Sequence, residues 1–245
     1  MSGHSKWHNI QATKNKADAA RGKIFTKIGR EIAVAVRLGG PDPNTNSKLY
    51  DVIQKAKQNN MPNDNIQRSI KKASGGEEGG NYESVTYEGY GSHGVALIVE
   101  CLTDNRNRTA ADVRHLFDKF GGSLGTTGSV TYMFDYRGVI VLKADGKATE
   151  DNVMMVALDA GADDVITDDD CFEVVCRPDM LHTVSKVFEQ EGFEMLSSEV
   201  AYVPQNEISL DKESATSISK LVLSLEDLDD VQNVYTNADL SALDE

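Results

Sequence analysis

The sequence has little of what exported or membrane-spanning proteins contain. It holds three cysteines among 245 residues, and Cys101, Cys171 and Cys176 have no spacing typical of a zinc site. Uninterrupted apolar runs such as 95–99 and 139–142 are far shorter than the roughly 20 residues that span a bilayer. No apolar stretch at the start resembles a signal peptide. We therefore expect a soluble cytoplasmic protein with reduced thiols and no membrane partner.

Signals for catalysis and metal binding are also scarce. His4 and His8 lack a third ligand, so we expect no zinc site. The run Gly121-Gly122-Ser123-Leu124-Gly125 ends a predicted helix and lacks the Gly-Lys-Ser/Thr ending of a phosphate-binding loop. No pattern of nucleophile and base stands out. We expect no metal, no cofactor and no enzymatic activity; the alternative is an enzyme with a cleft between its α+β domains.

Charge is distributed unevenly along the chain. Up to Lys72 there are 14 lysines and arginines against five acidic residues, a net charge of +9, whereas the remaining 173 residues carry 11 against 34, a net charge of −23. This asymmetry predicts a basic segment that binds a polyanion. The alternative is a polar helical domain whose charges only keep it soluble. The prediction requires that the basic side chains are not all paired with carboxylates of the acidic part.

The first 73 residues predict three helices. A helix over 14–38 has an apolar stripe opposite a stripe of cations and ends at Gly39-Gly40-Pro41. A second helix over 47–58 buries one apolar face, and a third has Pro62 in its first turn, with Ile66 and Ile70 facing inward. These helices predict a small bundle, and the glycine-rich residues 74–80 predict a linker.

From residue 81 the hydrophobic period becomes that of strands. Residues 82–90 and 95–102 predict a hairpin, followed by a helix over 109–120 that is capped by Thr109 and a strand over 129–134. The order strand, helix, strand, strand, helix, strand within 139–203 is the ferredoxin-like split motif. A helix over 212–225 and a strand over 231–236 would complete the preceding unit. The predicted class is α+β: a three-helix bundle in 1–73, then two ferredoxin-like domains, one made of 81–135 plus 205–240 and the other, 136–204, inserted into it.

Candidate nucleic-acid contacts lie in the basic segment, where cations could meet phosphates and planar groups could stack on bases. The predicted nucleic-acid-binding residues are Lys6, Trp7, His8, Lys14, Lys16, Arg21, Lys23, Lys27, Arg30 and Arg37. For Trp7, packing onto the bundle is an equal alternative to stacking. Arg106 and Arg108 precede the helix that Thr109 is predicted to cap, and form a possible anion site. The alternative is that these two arginines pair with nearby carboxylates.

Several blocks of the sequence, in order, resemble the YebC/PmpR family: Gly3-His4-Ser5-Lys6-Trp7, residues 21–28, Leu38-Gly39-Gly40, Asn59-Asn60-Met61-Pro62, residues 87–91, residues 104–109 and residues 121–125. The resemblance extends over nearly the whole chain. It implies a cytoplasmic protein with a helical N-terminal domain and two α+β domains. Some members of the family are described as DNA-binding transcriptional regulators. Others, including the mitochondrial translational activator of cytochrome oxidase subunit one, act on ribosomes and relieve stalling.

We therefore expect a non-enzymatic, nucleic-acid-binding regulator. A DNA-binding transcriptional regulatory protein is the first hypothesis, and a ribosome-associated translation factor is the alternative. The expected partners are nucleic acid, either DNA or ribosomal RNA, and the ribosome or other basic proteins through the acidic domains. The sequence leaves open which of the two nucleic acids is the target.

Overall fold

The structure, a computed structural model, describes residues 19–75, 81–168 and 170–243, with side chains from residue 22 onward. Helices come first and strands follow, which confirms the predicted α+β class. In chain order the elements are α1 Ala19–Gly39, α2 Ser47–Gln58, α3 Asn63–Ser74, β1 Glu83–Tyr90, β2 Ala96–Thr103, α4 Arg106–Lys119, β3 Ser123–Leu124, β4 Phe134–Lys143, α5 Glu150–Ala160, β5 Asp164–Thr167, β6 Cys171–Cys176, α6 Leu181–Gln190, β7 Met195–Pro204, β8 Ile208–Ser209, α7 Lys212–Glu226, β9 Val231–Thr236 and β10 Ala238–Asp239.

The helices α1, α2 and α3 form a bundle around one shared apolar core. The helical period brings Ile28 and Ile32 of α1 onto one face, where they pack with Leu49 of α2 and Ile66 of α3. Pro62 stands immediately before α3, with an extended backbone (φ −58°, ψ 141°), rather than within its first turn. The predicted three-helix bundle is confirmed.

Two four-stranded antiparallel sheets follow the bundle. The first has the order β3-β1-β2-β9, so it joins strands from both sides of residues 136–204. The second has the order β5-β6-β4-β7, with α5 and α6 as its helices, which is the strand order of the ferredoxin-like split motif. The first sheet also carries two helices, α4 and α7, but its central pair is the hairpin β1–β2. The exact domain boundaries stay a prediction.

The two sheets pack face to face, and their helices cover the outer faces. Alternate residues of β2 point to opposite sides of the sheet: Leu97 and Val99 face α4 and α7, whereas Ala96 and Ile98 face the second sheet. A buried apolar layer fills the space between the sheets.

The bundle lies against both α+β domains. On one side α1 contacts the turn between α7 and β9, as detailed below. On the other side, the Tyr50 hydroxyl of α2 donates a hydrogen bond to Glu189 (3.0 Å), and Asp51 of α2 lies 2.9 Å from Nδ1 of His182 in α6. The bundle therefore bridges the two domains.

Two local predictions were wrong. The helix α4 begins at Arg106 and its cap is Asn105, whose side chain accepts from the Arg108 amide. Thr109 lies inside the helix instead of capping it, because its hydroxyl is used by a buried carboxylate. The predicted strand over 129–134 is a 3₁₀ turn over Thr131–Met133 followed by the start of β4.

The physical reason for the second error is a buried carboxylate in β1. Glu88 accepts hydrogen bonds from the backbone amides of Gly128, Val130 and Thr131, at 2.7, 2.9 and 2.9 Å. These amides are consumed by a side chain and cannot enter a strand ladder. The segment is therefore fixed as a loop across the end of the first sheet.

Candidate nucleic-acid interface

The cations of α1 face the first α+β domain. Lys23 Nζ lies 2.5 Å from the Asp227 carboxylate and 3.1 Å from the Asp227 carbonyl oxygen. Lys27 Nζ donates to the carbonyl oxygen of Glu226 at 2.6 Å. At the other end of the helix, Arg37 donates to the Tyr82 carbonyl oxygen at 2.7 Å. Lys23, Lys27, Arg30 and Arg37 are called the α1 cations.

Arg30 and Asp230 form the centre of this contact. Nη1 of Arg30 lies 2.7 Å from Oδ1 of Asp230 and 2.5 Å from the Asp229 carbonyl oxygen. The other carboxylate oxygen of Asp230 accepts from Arg108 and from the Thr109 hydroxyl, both at 2.7 Å. Asp230 is only 7% exposed. One carboxylate therefore joins a helix of the bundle to the first turn of α4.

The electrostatics of Asp230 follow from these partners. Burial alone would raise the pKa of the Asp230 carboxyl, but hydrogen bonds from Arg108, Thr109 and Arg30 outweigh burial and hold the pKa below its ordinary value. Asp230 is therefore ionised at neutral pH. Two neighbouring guanidinium groups share its charge.

Arg106 and Arg108, the possible anion site, have carboxylate partners in the chain itself. Arg108 pairs with Asp104 at 2.9 Å and with Asp230 at 2.7 Å, and these hydrogen bonds raise the pKa of Arg108 further. Arg106 lies 3.7 Å from Glu83. An anion does meet the first turn of α4, but in this structure that anion is Asp230.

A cleft of about 540 Å³ opens between α1 and the first α+β domain. Both signs of charge line it, because Lys23, Arg30 and Arg108 stand opposite a series of aspartates. Its lining includes Lys23, Arg30, Arg108, Asp104, Asp112 and Asp229. A site of mixed charge attracts a polyanion less strongly than a purely basic one, since phosphates would meet carboxylates as well.

Exposed cations without a partner lie elsewhere on the bundle. Arg68, Lys71 and Lys72 project from α3, and they are called the α3 face. Lys48 and Lys57 are exposed on α2. Among the described residues, no hydrogen bond or ion pair engages these five side chains. The sequence reasoning overlooked them, although the spacing of Arg68, Lys71 and Lys72 places them on one side of α3, away from its buried residues.

The remaining predicted contacts cannot be placed in the same way. Lys6, Trp7, His8, Lys14 and Lys16 lie outside the described residues. Arg21 lies in α1, where only its backbone is described. The predicted nucleic-acid-binding role stays a prediction for these six residues, as it does for the four α1 cations.

The connection between α2 and α3 is short and rigidly placed. It consists of Asn59, Asn60, Met61 and Pro62, with Asn60 in the left-handed region (φ 56°) and Met61 buried in the bundle core. Four residues is the length of connection found in helix-turn-helix units. In the first turn of α3 that follows, Asn63 and Asp64 are exposed, whereas Ile66 is buried in the core.

The described residues contain no group of three or more His, Cys, Asp or Glu side chains arranged to hold a metal ion. Cys101, Cys171 and Cys176 are buried and not disulfide-bonded. Burial raises the pKa of the Cys101 thiol to about 12 and that of Cys176 to about 11, so both thiols stay protonated. Among the described residues, no helix is both long enough and apolar enough to span a membrane.

Comparisons with known proteins cover almost the whole chain. The family model described as "TACO1/YebC protein N-terminal domain" matches residues 5–76, and the one described as "TACO1/YebC second and third domain" matches residues 82–238. A relative from Acetivibrio thermocellus, named "Probable transcriptional regulatory protein", is 58% identical over 97% of this chain and 98% of its own. A relative from Clostridium tetani with the same name is 55% identical over 98% of this chain and 97% of its own. The crystal structure of a conserved hypothetical protein from Aquifex aeolicus has a TM-score of 0.83 at 42% identity, and the match covers 92% of this chain and 93% of that one.

Proposed function

Because the chain belongs to the TACO1/YebC family, we propose that it is a non-enzymatic regulator of transcription that binds duplex DNA through its helical bundle. Its relatives are named probable transcriptional regulatory proteins. The observation that carries the proposal is the α3 face. Arg68, Lys71 and Lys72 are exposed on one side of a helix, and no described residue neutralises them. Phosphates are the ligands that such a helix face fits.

Duplex DNA is favoured by the geometry around α3. A four-residue connection places α3 directly after α2, as in units that set a second helix into the major groove. The first turns of α3 expose Asn63 and Gln67, and such amide side chains can form paired hydrogen bonds to adenine. Arg68, Lys71 and Lys72 would then contact the flanking phosphates. Base contacts and phosphate contacts thus come from one helix.

The proposed surface also includes the predicted residues of the N-terminal segment, Lys6, Trp7, His8, Lys14 and Lys16, and Arg21 at the start of α1. The α1 cations differ from these, because phosphates could reach them only by displacing Asp227, Asp230 and the carbonyl oxygens that they now contact. We therefore assign the first contact with DNA to the α3 face.

The salt dependence of DNA binding tests this assignment. If the five exposed cations of α2 and α3 contact phosphates, the logarithm of the affinity for a duplex of about 20 base pairs should fall with the logarithm of salt with a slope of about −4.5. Replacing the α3 face by Arg68→Gln, Lys71→Gln and Lys72→Gln should make the slope shallower by about 2.7. Fluorescence anisotropy at several salt concentrations measures both slopes.

A matched control uses Arg114→Gln, Lys212→Gln and Lys220→Gln, which remove the same charge from exposed positions on α4 and α7. This variant should keep the wild-type slope. Equal slopes for the two triple variants would disprove the role of the α3 face.

The alternative hypothesis, a ribosome-associated translation factor, predicts different experimental results. Sedimentation of a cell lysate, with and without ribonuclease, shows whether the protein migrates with ribosomes. Ribonuclease-sensitive migration with ribosomes, combined with equally weak affinity for all DNA sequences, would replace transcription by translation as the regulated process. Tight binding to promoter fragments in ribosome-free fractions would support the proposal.

A further inference from the structure

The outer face of α5 carries an apolar stripe that nothing in the described structure covers. Met154, Met155 and Leu158 are exposed by 38%, 59% and 70%. They are called the α5 stripe. The spacing of three and four residues puts them side by side on the helix surface. Single exposed apolar side chains are common in soluble proteins, whereas adjacent ones mark a surface that binds something.

The α5 stripe and the face of α5 that packs in the core are two different sides of the helix. Val153, Ala157 and Ala160 form the core face, and they pack against the second sheet and α6. The helix therefore has apolar residues on two sides. Near the end of α5 the methyl group of Met180 lies close to Gly161, so a further flexible apolar side chain stands at the end of this helix. Methionine-rich surfaces adapt their shape to partner helices.

Acidic side chains alternate with the stripe, and α5 has no basic residue. Glu150 lies one turn before Met154, Asp151 one turn before Met155, and Asp159 one turn after Met155. All three carboxylates are exposed, and none has an ion-pair partner among the described residues. An apolar surface with a negative rim complements a partner that is apolar on one face and positively charged around it.

We propose that the α5 stripe is a docking site for a basic amphipathic helix of a partner protein. The apolar face of that helix covers Met154, Met155 and Leu158, and its lysines or arginines pair with Glu150, Asp151 and Asp159. The partner helix would lie along α5, with apolar contacts spaced three and four residues apart. A second copy of this chain fits less well, because its own α5 would bring acidic residues against acidic residues.

Methionine-methyl NMR on the full chain tests the proposal with a defined probe. The probe is an 18-residue amphipathic peptide with leucines on one face and lysines on the other, and the control peptide has glutamates in place of the lysines. The lysine peptide should shift the ε-methyl signals of Met154 and Met155 in a saturable manner. Met61, which is buried in the bundle, should be unaffected. The glutamate peptide should shift none of these signals.

Two variants separate apolar docking from simple charge attraction. Met154→Gln, Met155→Gln and Leu158→Gln together should weaken binding of the lysine peptide at least tenfold. Leu38→Gln, which changes a 68% exposed leucine on α1, should have no effect. Asp151→Asn with Asp159→Asn should weaken the lysine peptide severalfold and reduce its preference over the glutamate peptide, while leaving the stripe intact.

Three results would overturn the proposal. The first is unchanged affinity of the triple glutamine variant for the lysine peptide, since the contact would then be charge attraction alone. The second is a saturable shift that spares Met154 and Met155 and appears elsewhere. The third is a concentration-dependent dimer, seen by sedimentation velocity and abolished in the triple glutamine variant, because the stripe would then be covered by a second copy.

Discussion

Glu226, the last residue of α7, shows how one side chain makes the bundle contact sensitive to pH. Burial raises the pKa of the Glu226 carboxyl to about 7, and the ammonium group of Lys27 offsets burial only in part. Burial also lowers the pKa of Lys27 itself, although Glu226 and Asp229 oppose that effect and Lys55 and Lys23 reinforce it. For both Glu226 and Lys27, burial therefore makes the charged form less favourable than it is in water.

The sign of the pH effect follows from the raised pKa of Glu226. A carboxyl whose pKa is higher in the folded than in the unfolded state binds a proton more tightly when folded. Its contribution to stability is complete below pH 4.5 and is lost as pH rises through about 7. We predict that Glu226→Gln is more stable than the wild type at pH 8, by up to about 3 kcal/mol, and equally stable at pH 4.5. Urea unfolding at the two pH values measures the difference.

The outcome that contradicts this prediction is a glutamine variant that gains nothing at pH 8. Asp229→Asn serves as the control, because Asp229 is exposed and lies three residues further along the same turn. Its stability relative to the wild type should change little between the two pH values.

At the scale of single elements, Glu88 holds the loop between β3 and β4. Burial would raise the pKa of Glu88, but the backbone amides of Gly128, Val130 and Thr131 outweigh burial and lower the pKa. We predict that Glu88→Gln destabilises the protein by about 2 kcal/mol, because the amide group of glutamine would place a donor against these backbone donors. The destabilisation should be largest above the ordinary carboxyl pKa and shrink at low pH, where the wild-type carboxylate is itself protonated.

Chemical denaturation at pH 7 and pH 3.5 measures this effect. A suitable control is Glu83→Gln, because Glu83 lies at the exposed start of the same strand and faces Arg106 at 3.7 Å. This control should cost well under about 1 kcal/mol. Equal costs for the two substitutions would contradict the role of the loop contacts.

The same elements show which parts of the fold could be predicted. Helices with a clear apolar face, such as α2 and α3, and the strand order within β4 to β7 follow from local periodicity. The strand expected over 129–134 and the cap expected at Thr109 failed for one shared reason. Their polar groups are used by Glu88 and Asp230, which are about 40 and 120 residues away in sequence, and local patterns contain no trace of such partners.

For the candidate site, the sequence identified the basic region of the chain but not which of its surfaces is exposed. The excess of positive charge before residue 73 correctly marked the bundle as the basic part of the chain. A helical projection cannot show which side of α1 meets another domain, so the stripe with Lys23, Lys27 and Arg30 was as plausible a surface as the α3 face. The packing of the bundle against the first α+β domain distinguishes these two surfaces. It gives the α1 cations partners and leaves Arg68, Lys71 and Lys72 exposed.

At the scale of the whole molecule, the opposite charges of the two halves serve first to hold the halves together. Four cations of α1 contact the first α+β domain, and the contact continues through α2 to α6 on the inserted domain. A basic bundle that hung free would need no such complementary surface. Among the described residues of the bundle, the cations without a partner point away from this contact, on α2 and α3.

The docked arrangement predicts that carboxylates of one turn differ sharply in their contribution to stability. Asp230→Asn should cost about 3 kcal/mol or more, because it leaves the largely buried guanidinium of Arg30 beside a neutral group. Asp227→Asn removes the same charge three residues away, but Lys23 and Asp227 are 44% and 70% exposed, so its cost should stay below about 1 kcal/mol. Urea unfolding gives both values, and hydrogen exchange should show faster exchange in α1 for Asp230→Asn only, while β4 keeps its protection. Similar costs for the two variants, or unchanged exchange in α1, would mean that the bundle is held by apolar contacts and not by the buried carboxylate.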